Sequence, residues 1–208
     1  MTLNAARRFA IIASACMLIL GVSACSTGSD DSEQSRSSAP PSTEVRMSGG
    51  YVMNEDGTLQ KPEVDMPVPV LDPAALEYSP EGAELAARHF LALTEYAWAT
   101  GDTSAMRAFF TDECTPCKSM ADRVDELYAS GGWMDGTEYQ VQEVVRAEEV
   151  PGIPETFGVQ LLVHQPESTE YSGRNVRQID SSDLDIAFFV HWIDDSWEVT
   201  GEDAESIS

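Results

Sequence analysis

The chain has 208 residues, of which 42% are hydrophobic, and this is enough for one globular domain of ordinary size. Its 36 acidic residues outnumber its 12 basic residues, so the formal net charge is −24 at pH 7. A chain this acidic repels nucleic acid and anionic lipid headgroups, and we therefore expect no nucleic-acid partner.

The first 25 residues have the pattern of an export signal. Two arginines precede an apolar run of twelve residues, 9–20, which is shorter than the roughly 20 residues that a spanning helix needs. Val22-Ser23-Ala24 then leads to Cys25, and this pattern resembles the lipobox of bacterial lipoproteins. We predict a lipoprotein signal peptide at residues 1–24 and lipid attachment, including palmitate, at the Cys25 thiol. The alternative is an ordinary cleavable signal in which Cys25 is incidental.

The predicted anchor indicates the compartment. Two or three acyl chains would hold the protein on the extracytoplasmic face of the cell membrane, since each buried methylene contributes about 0.8 kcal/mol. Cleavage would remove Cys16 and two arginines, and losing those two positive charges moves the formal charge from −24 to −26. Outside the cytoplasm, a disulfide between the two other mature cysteines, Cys114 and Cys117, is permitted.

Residues 25–72 are predicted to form a lipidated, disordered tether. The first half of this segment is rich in serine and proline, and it has too few apolar residues to offset its conformational entropy by burial. Further on, Pro67 and Pro69 each remove a backbone donor, which argues against a central strand there. The folded domain is predicted over residues 73–203, followed by a short tail at 204–208.

Three helices are predicted in the first half of the domain. Ser79-Pro80-Glu81 is typical of a helix start, and Gly101 supplies the corresponding stop. Asp102 or Thr103 caps a short second helix, and Thr115-Pro116 begins a third. Apolar side chains recur at helical spacing along the first and third helices, which indicates that both present a stripe to the core.

Alternation with period two predicts strands in the second half of the domain. Residues 139–145 shift face, which suggests a bulge, whereas residues 157–163 and 184–192 alternate regularly. A polar loop that contains serine and glycine is predicted between these last two strands. A tight turn then leads to a return strand that begins at Trp197. Because the helical segments precede the strands, the predicted fold class is α+β, with N-terminal helices packed on one face of a curved antiparallel sheet.

Short motifs in the domain carry a resemblance to a known family. They are Tyr78-Ser-Pro-Glu-Gly-Ala83, Tyr96-Ala-Trp-Ala-Thr-Gly-Asp-Thr103, Cys114-Thr-Pro-Cys117 and Gly131-Gly132. Together they resemble an uncharacterised family of actinobacterial lipoproteins over roughly residues 70–200. That resemblance implies a domain of unknown function and no particular reaction. The order of elements also resembles the cystatin-like cone of ketosteroid isomerase and nuclear transport factor relatives, which implies a pocket on the concave face of the sheet.

The Cys114-Thr-Pro-Cys117 pair is the one motif with reactive potential. If Pro116 opens the third helix, Cys117 lies in its first turn, where unpaired amides and the helix dipole stabilise a thiolate. Against a thioredoxin-like role, two acids directly precede Cys114 and the sheet follows the helices. We expect a structural disulfide that pins the second helix to the third, with a redox-active pair as the alternative. A zinc site would need a second ligand pair, so no metal and no cofactor are expected.

Candidate pocket residues on the strands are His164, His191 and Trp192. An enzyme of the ketosteroid-isomerase type needs a carboxylate base and hydrogen-bond donors in an apolar pocket. The side chains that could supply them are Asp183, Asp185, Glu95 and Tyr96, but nothing in their spacing selects them, and no catalytic residue is assigned. We expect a non-enzymatic domain that binds an extracytoplasmic protein partner or a small apolar ligand, with such an enzyme as the alternative.

Overall fold

The elements follow the predicted order of helices before sheet. The computed structural model describes residues 46–207, so the predicted signal peptide, Cys25 and residues 25–45 of the predicted tether lie outside the described residues. Along the chain the elements are β1 (Met47–Ser48), β2 (Tyr51–Val52), a 3-10 turn (Pro73–Leu76), α1 (Pro80–Thr100), α2 (Ser104–Arg107), α3 (Thr115–Ala129), β3 (Trp133–Asp135), β4 (Gln140–Glu149), β5 (Thr156–Gln165), β6 (Ser168–Tyr171), β7 (Val176–Ile179), β8 (Ser182–Ile193) and β9 (Ser196–Ile207). Within this part of the chain, no helix is long and apolar enough to span a membrane.

Capping residues set the bounds of α1. Ser79 is extended, with φ −157° and ψ 163°, and its Oγ accepts a hydrogen bond from the Gly82 N–H at 3.0 Å. Pro80 occupies the first helical position, where no backbone donor is needed. At the other end, Gly101 adopts φ 84°, and its N–H donates to the Ala97 carbonyl. Both ends therefore lie where the sequence predicts them.

The large sheet is antiparallel and has the strand order β4-β5-β8-β9. Alternate side chains of β5 and β8 are buried with Phe90 of α1 in the main core: Phe157, Val159, Leu161, Val163, Ile186, Phe188 and Val190. The pairing of β4 with β5 is irregular after Val141 and after Val144, in agreement with the bulge predicted there. The predicted α+β arrangement, with helices on one face of an antiparallel sheet, is confirmed.

A second, three-stranded sheet has the order β3-β6-β7. Its strands are only three or four residues long, and Ser168 lies opposite Ile179 while Tyr171 lies opposite Val176. The polar loop predicted between β5 and β8 therefore contains two strands, which the sequence does not reveal because strands this short and polar show little alternation. Trp133 and Tyr171 are nevertheless buried in a second, smaller core.

The N-terminal part of the described chain belongs to this second core. The Tyr51 ring lies 4.6 Å from that of Trp133, and the Tyr51 hydroxyl donates to Asp135 Oδ2 at 2.8 Å. Leu59 is buried, and its N–H donates to the Tyr171 hydroxyl at 3.3 Å. The tether prediction included these residues, whereas here they pack on the domain, because two aromatic rings offer them a surface that the local sequence does not reveal. The predicted tail likewise differs, since β9 continues through residues 204–207 in register with β8.

Candidate functional site

The predicted pocket residues His164, His191 and Trp192 do not share one site. The register of β5 with β8 places Thr156 opposite His191 and His164 opposite Asp183. His191, on β8, therefore lies beside one end of β5, and His164 lies near the other end. The two positions are eight residues apart along β5, which corresponds to about 26 Å at 3.3 Å per residue. Adjacent residues of a strand project from opposite faces, so His191 and Trp192 also point apart.

Each of these side chains has a local partner instead. His164 Nδ1 lies 2.7 Å from Asp183 Oδ1, beside an open depression. His191 Nδ1 lies 2.9 Å from the Thr156 hydroxyl oxygen. Trp192 packs edge-on against Trp197, with ring centroids 4.8 Å apart. These contacts orient each residue within the sheet and bring no two of the three together.

Two of the other candidates for acid–base chemistry are held in similar local contacts. Asp185 accepts hydrogen bonds from Gln160 Nε2 at 2.7 and 2.8 Å, and the Tyr96 hydroxyl donates to Asp102 Oδ2 at 3.4 Å. Glu95 differs, because its Oε1 accepts a hydrogen bond from the N–H of Tyr139, a residue that lines a cavity.

That cavity has a volume of about 500 Å³ and lies between α1, α3 and the small sheet. Its apolar wall consists of Trp98, Met120, Met134, Tyr139 and Ile179. A volume of this size is ordinary for pockets that hold small organic ligands. The sequence does not predict this cavity, because β6 and β7, which form one side of it, lie in the predicted loop.

The polar rim of the cavity is an ion-pair group of two arginines and one glutamate. Arg177 Nη2 and Arg123 Nη2 donate to the same oxygen, Glu170 Oε2, at 2.9 and 3.2 Å. The Glu170 side chain is only 16% exposed, whereas those of Arg123 and Arg177 are 62% and 56% exposed. The Arg123 guanidinium also lies over the Trp98 ring, with its Cζ 5.5 Å from the centroid. Glu170 thus holds both guanidinium groups at the rim of the cavity, and Trp98 also contacts that of Arg123.

Ser168 also lies at this cavity, but its hydroxyl does not face the open space. The residue is 3% exposed, and its Oγ has no hydrogen-bond partner within residues 46–207. Because that oxygen is itself buried, other atoms of Ser168 line the cavity wall, and the polar groups open to a ligand are those of the rim.

The carboxyl groups of Glu95 and Glu202 lie close to Tyr139, and neither residue is among those that line the cavity in the described part of the chain. Burial raises the pKa of Glu202 to about 7, and burial also raises the pKa of Glu95. The pKa of Tyr139 is raised to about 12, chiefly by burial and further by the negative charges of these two neighbours. Glu202 also touches the disulfide, since its Oε2 lies 4.0 Å from Cys117 Sγ. Cys117 is oxidised and has no S–H to donate, so this is a contact and not a hydrogen bond.

The disulfide joins Cys114 to Cys117 across the start of α3, with 5.3 Å between their Cα atoms. It was predicted to pin the second helix to the third, but α2 ends at Arg107 and the disulfide closes only the first turn of α3. Both cysteines are fully buried. Cys114 is also the residue that caps the helix, because its Sγ accepts from the Cys117 N–H at 3.4 Å. A thiol reagent or a partner protein has no access to either sulfur in this fold, which favours a structural role over thiol exchange.

The sequence analysis did not select Arg123, Glu170, Arg177 or Glu202. Glu202 faces inward because the pairing of β8 with β9 is irregular after Phe189, where Val190 pairs with Val199 and Phe188 with Glu202. This bulge shifts the alternation of β9 by one residue. The signal in the sequence was Gly201, the residue that strict alternation from Trp197 would place on the inner face.

Comparison with known proteins assigns the domain to a family without assigning it a reaction. A family model described as "Family of unknown function (DUF6318)" matches residues 53–203, in agreement with the predicted resemblance to an uncharacterised family. No curated protein matches the chain.

Several solved structures are similar in fold. The intermembrane space region of the chloroplast protein ARC6 is 14% identical with a TM-score of 0.46, covering 62% of this chain and 97% of that one. An uncharacterised protein with a cystatin-like fold from Caulobacter vibrioides is 10% identical with a TM-score of 0.40, covering 61% and 91%. An NTF2-like protein of unknown function from Shewanella baltica OS155 is 12% identical with a TM-score of 0.36, covering 59% and 92%. These likenesses concern the fold, and nothing about ligands or activity is transferred from them.

Proposed function

Because the chain belongs to the family of unknown function DUF6318, we propose its role from the cavity alone: the domain binds a small, largely apolar ligand between α3 and the small sheet. The observation that carries this proposal is the cavity of about 500 Å³, with its apolar wall and the Arg123, Arg177 and Glu170 side chains at its rim. Such a combination of apolar surface and a few convergent polar groups is typical of small-molecule sites.

Binding is favoured over catalysis by the positions of the carboxyl groups. A general base must come within about 3 Å of the proton that it removes. Glu202 has the raised pKa that a base of this kind would need, but it is not among the residues that line the cavity in the described part of the chain. Glu170 does line the cavity, but both arginines already bind it. The remaining alternative, thiol–disulfide exchange, is disfavoured by the burial of both sulfurs.

A neutral fluorescent probe tests the proposed cavity. We expect N-phenyl-1-naphthylamine to bind the purified domain saturably, because its two aromatic groups match an apolar wall of this size. Ser119 is an exposed residue of α3 at the cavity. A Ser119→Trp variant places an indole in that space without removing a core side chain, and we expect it to weaken binding at least about tenfold.

The matched control is Ser196→Trp, the same substitution at the exposed residue that begins β9. This variant should bind the probe as the wild type does. Failure of the wild type to bind, or equal weakening in both variants, would overturn the proposal.

We also propose that the domain works outside the cytoplasm, anchored through a lipid on Cys25. The support is the sequence pattern at residues 1–25, in which an apolar run too short to span a bilayer is followed by small residues and a cysteine. Such an anchor would tether the protein to the membrane and leave the cavity open to ligands outside it.

The anchor is tested by fractionating cells of a lipoprotein-producing bacterium that express the full chain. A Cys25→Ala variant should leave the membrane fraction for the soluble extracytoplasmic fraction, because the thiol that accepts the lipid is gone. A Cys16→Ala variant, altered inside the signal itself, should stay with the membrane. Membrane retention of Cys25→Ala would refute lipidation at this residue.

A further inference from the structure

The rim of the cavity reverses the charge balance of the rest of the protein. The chain as a whole carries a formal net charge of −24. Elsewhere on the surface, Arg107 is shared by two carboxylates, those of Asp122 and Asp125. At the cavity, one carboxylate is shared by two arginines. Among the ion-pair groups of residues 46–207, this is the one in which cationic side chains outnumber carboxylates. It therefore leaves an excess positive charge at the rim, where a ligand enters.

The guanidinium groups keep donors for a second anion. Each arginine has five N–H donors, and Glu170 accepts through one nitrogen of each group. Both bonds end on Oε2, so the two guanidinium groups converge on one point of the rim. Planar forks of this kind suit the oxygens of carboxylate, sulfonate and phosphate groups.

We propose that the ligand is an amphipathic organic anion, whose apolar body occupies the cavity while its anionic group binds Arg123 and Arg177. This inference rests on the proposed function and adds the chemical class of the ligand. The Trp98, Met120 and Ile179 side chains contact the body. Glu170 positions the two arginines and limits the attraction to about one net positive charge.

Two probes with the same body separate this inference from the proposed function. 8-Anilinonaphthalene-1-sulfonate has the aryl amine body of N-phenyl-1-naphthylamine with a sulfonate added. We expect the wild type to bind the anionic probe about fivefold more tightly than the neutral one, which is the effect of one partly exposed charge pair. In Arg177→Gln and in Arg123→Gln we expect this preference to fall to about onefold while neutral-probe binding changes less than about twofold.

Two further variants keep the test decisive. Glu170→Gln removes the competing carboxylate and should strengthen binding of the anionic probe about fivefold, whereas a site that merely needs an intact ion pair would lose affinity. Arg88→Gln makes the same charge change at an arginine paired with Glu84, ten residues before Trp98 on α1, and should leave the preference unchanged.

The outcomes are distinguishable. If neither probe binds, the proposed function fails and this inference fails with it. If the neutral probe binds as tightly as the anionic one, the cavity stands and the anion site is refuted. Loss of the preference in Arg88→Gln as much as in Arg177→Gln would also refute it, because the effect would then come from the overall charge of the protein.

Discussion

Replacing Glu202 with glutamine is expected to raise the free energy of unfolding by up to about 3 kcal/mol at pH 8 and by close to nothing at pH 4. Glu202 projects from β9 toward the main core and touches the Cys114–Cys117 disulfide. Burial there raises its pKa from 4.5 to about 7, since few groups are available to solvate the charged carboxylate. Glutamine keeps the shape of the side chain and carries no charge.

The sign follows from the direction of the shift. Between pH 4.5 and about 7 the folded state retains the Glu202 proton while the unfolded state releases it. The wild type therefore loses stability as the pH rises through this window, and the loss is complete above the folded pKa. Below pH 4.5 both states are protonated, and glutamine then offers no advantage.

Urea unfolding of the wild type and of Glu202→Gln, repeated from pH 4 to pH 8, measures this difference. The matched control is Glu205→Gln, which makes the same change at an exposed residue of the same strand and should shift stability equally little at every pH. A constant gap between Glu202→Gln and the wild type across the series would contradict the predicted burial of the charge.

Trp197→Ala is expected to lower the free energy of unfolding by about 4 kcal/mol. The side chain is 2% exposed and lies between the rings of Phe157 and Tyr78, at centroid distances of 5.6 and 5.9 Å. Its Nε1–H donates to the Ala75 carbonyl at 2.8 Å. Truncation would therefore leave both a large cavity and an unpaired buried carbonyl, and it would release the 3-10 turn before α1.

Far-UV circular dichroism during urea unfolding is the suitable measurement, because the tryptophan signal itself changes. Trp192→Ala provides the comparison, since Trp192 packs on Tyr78 and on Trp197 itself but is only half-buried, and it should cost about half as much. Trp197→Phe restores most of the volume without the N–H donor, and its remaining loss should be about 1–2 kcal/mol. A loss for Trp197→Ala no larger than that for Trp192→Ala would show that the indole is not the anchor described here.

The sequence predicts well those parts of the fold that depend on local patterns. Ser79 and Gly101 act through hydrogen bonds of the adjacent helix turn, and Pro116 lacks a donor that the first turn would leave unpaired, so the ends of the helices are visible in the chain itself. Regular alternation over residues 157–163 and 184–192 likewise indicates long, half-buried strands without knowledge of their partners.

The cavity depends on contacts between distant segments, and the sequence does not predict it. Arg123 and Glu170 meet only because α3 packs near β6, and Arg177 joins them only through the register of β6 with β7. Glu202 faces inward only because of a bulge in the last strand pair. The distance between His164 and His191 is likewise not predicted, because the register of β5 with β8, which separates them, is fixed by the whole sheet.

The course of β9 has a consequence for self-association. This strand lies at the edge of the large sheet. Its first half is covered, since the Thr111 N–H donates to the Val199 carbonyl and the Val199 N–H donates to the Phe109 carbonyl, both at 2.9 Å. The second half of β9, which includes exposed Asp203 and Glu205, is an open edge to which a second copy of the domain could add a strand. Repulsion between the carboxylates of two such edges opposes that pairing.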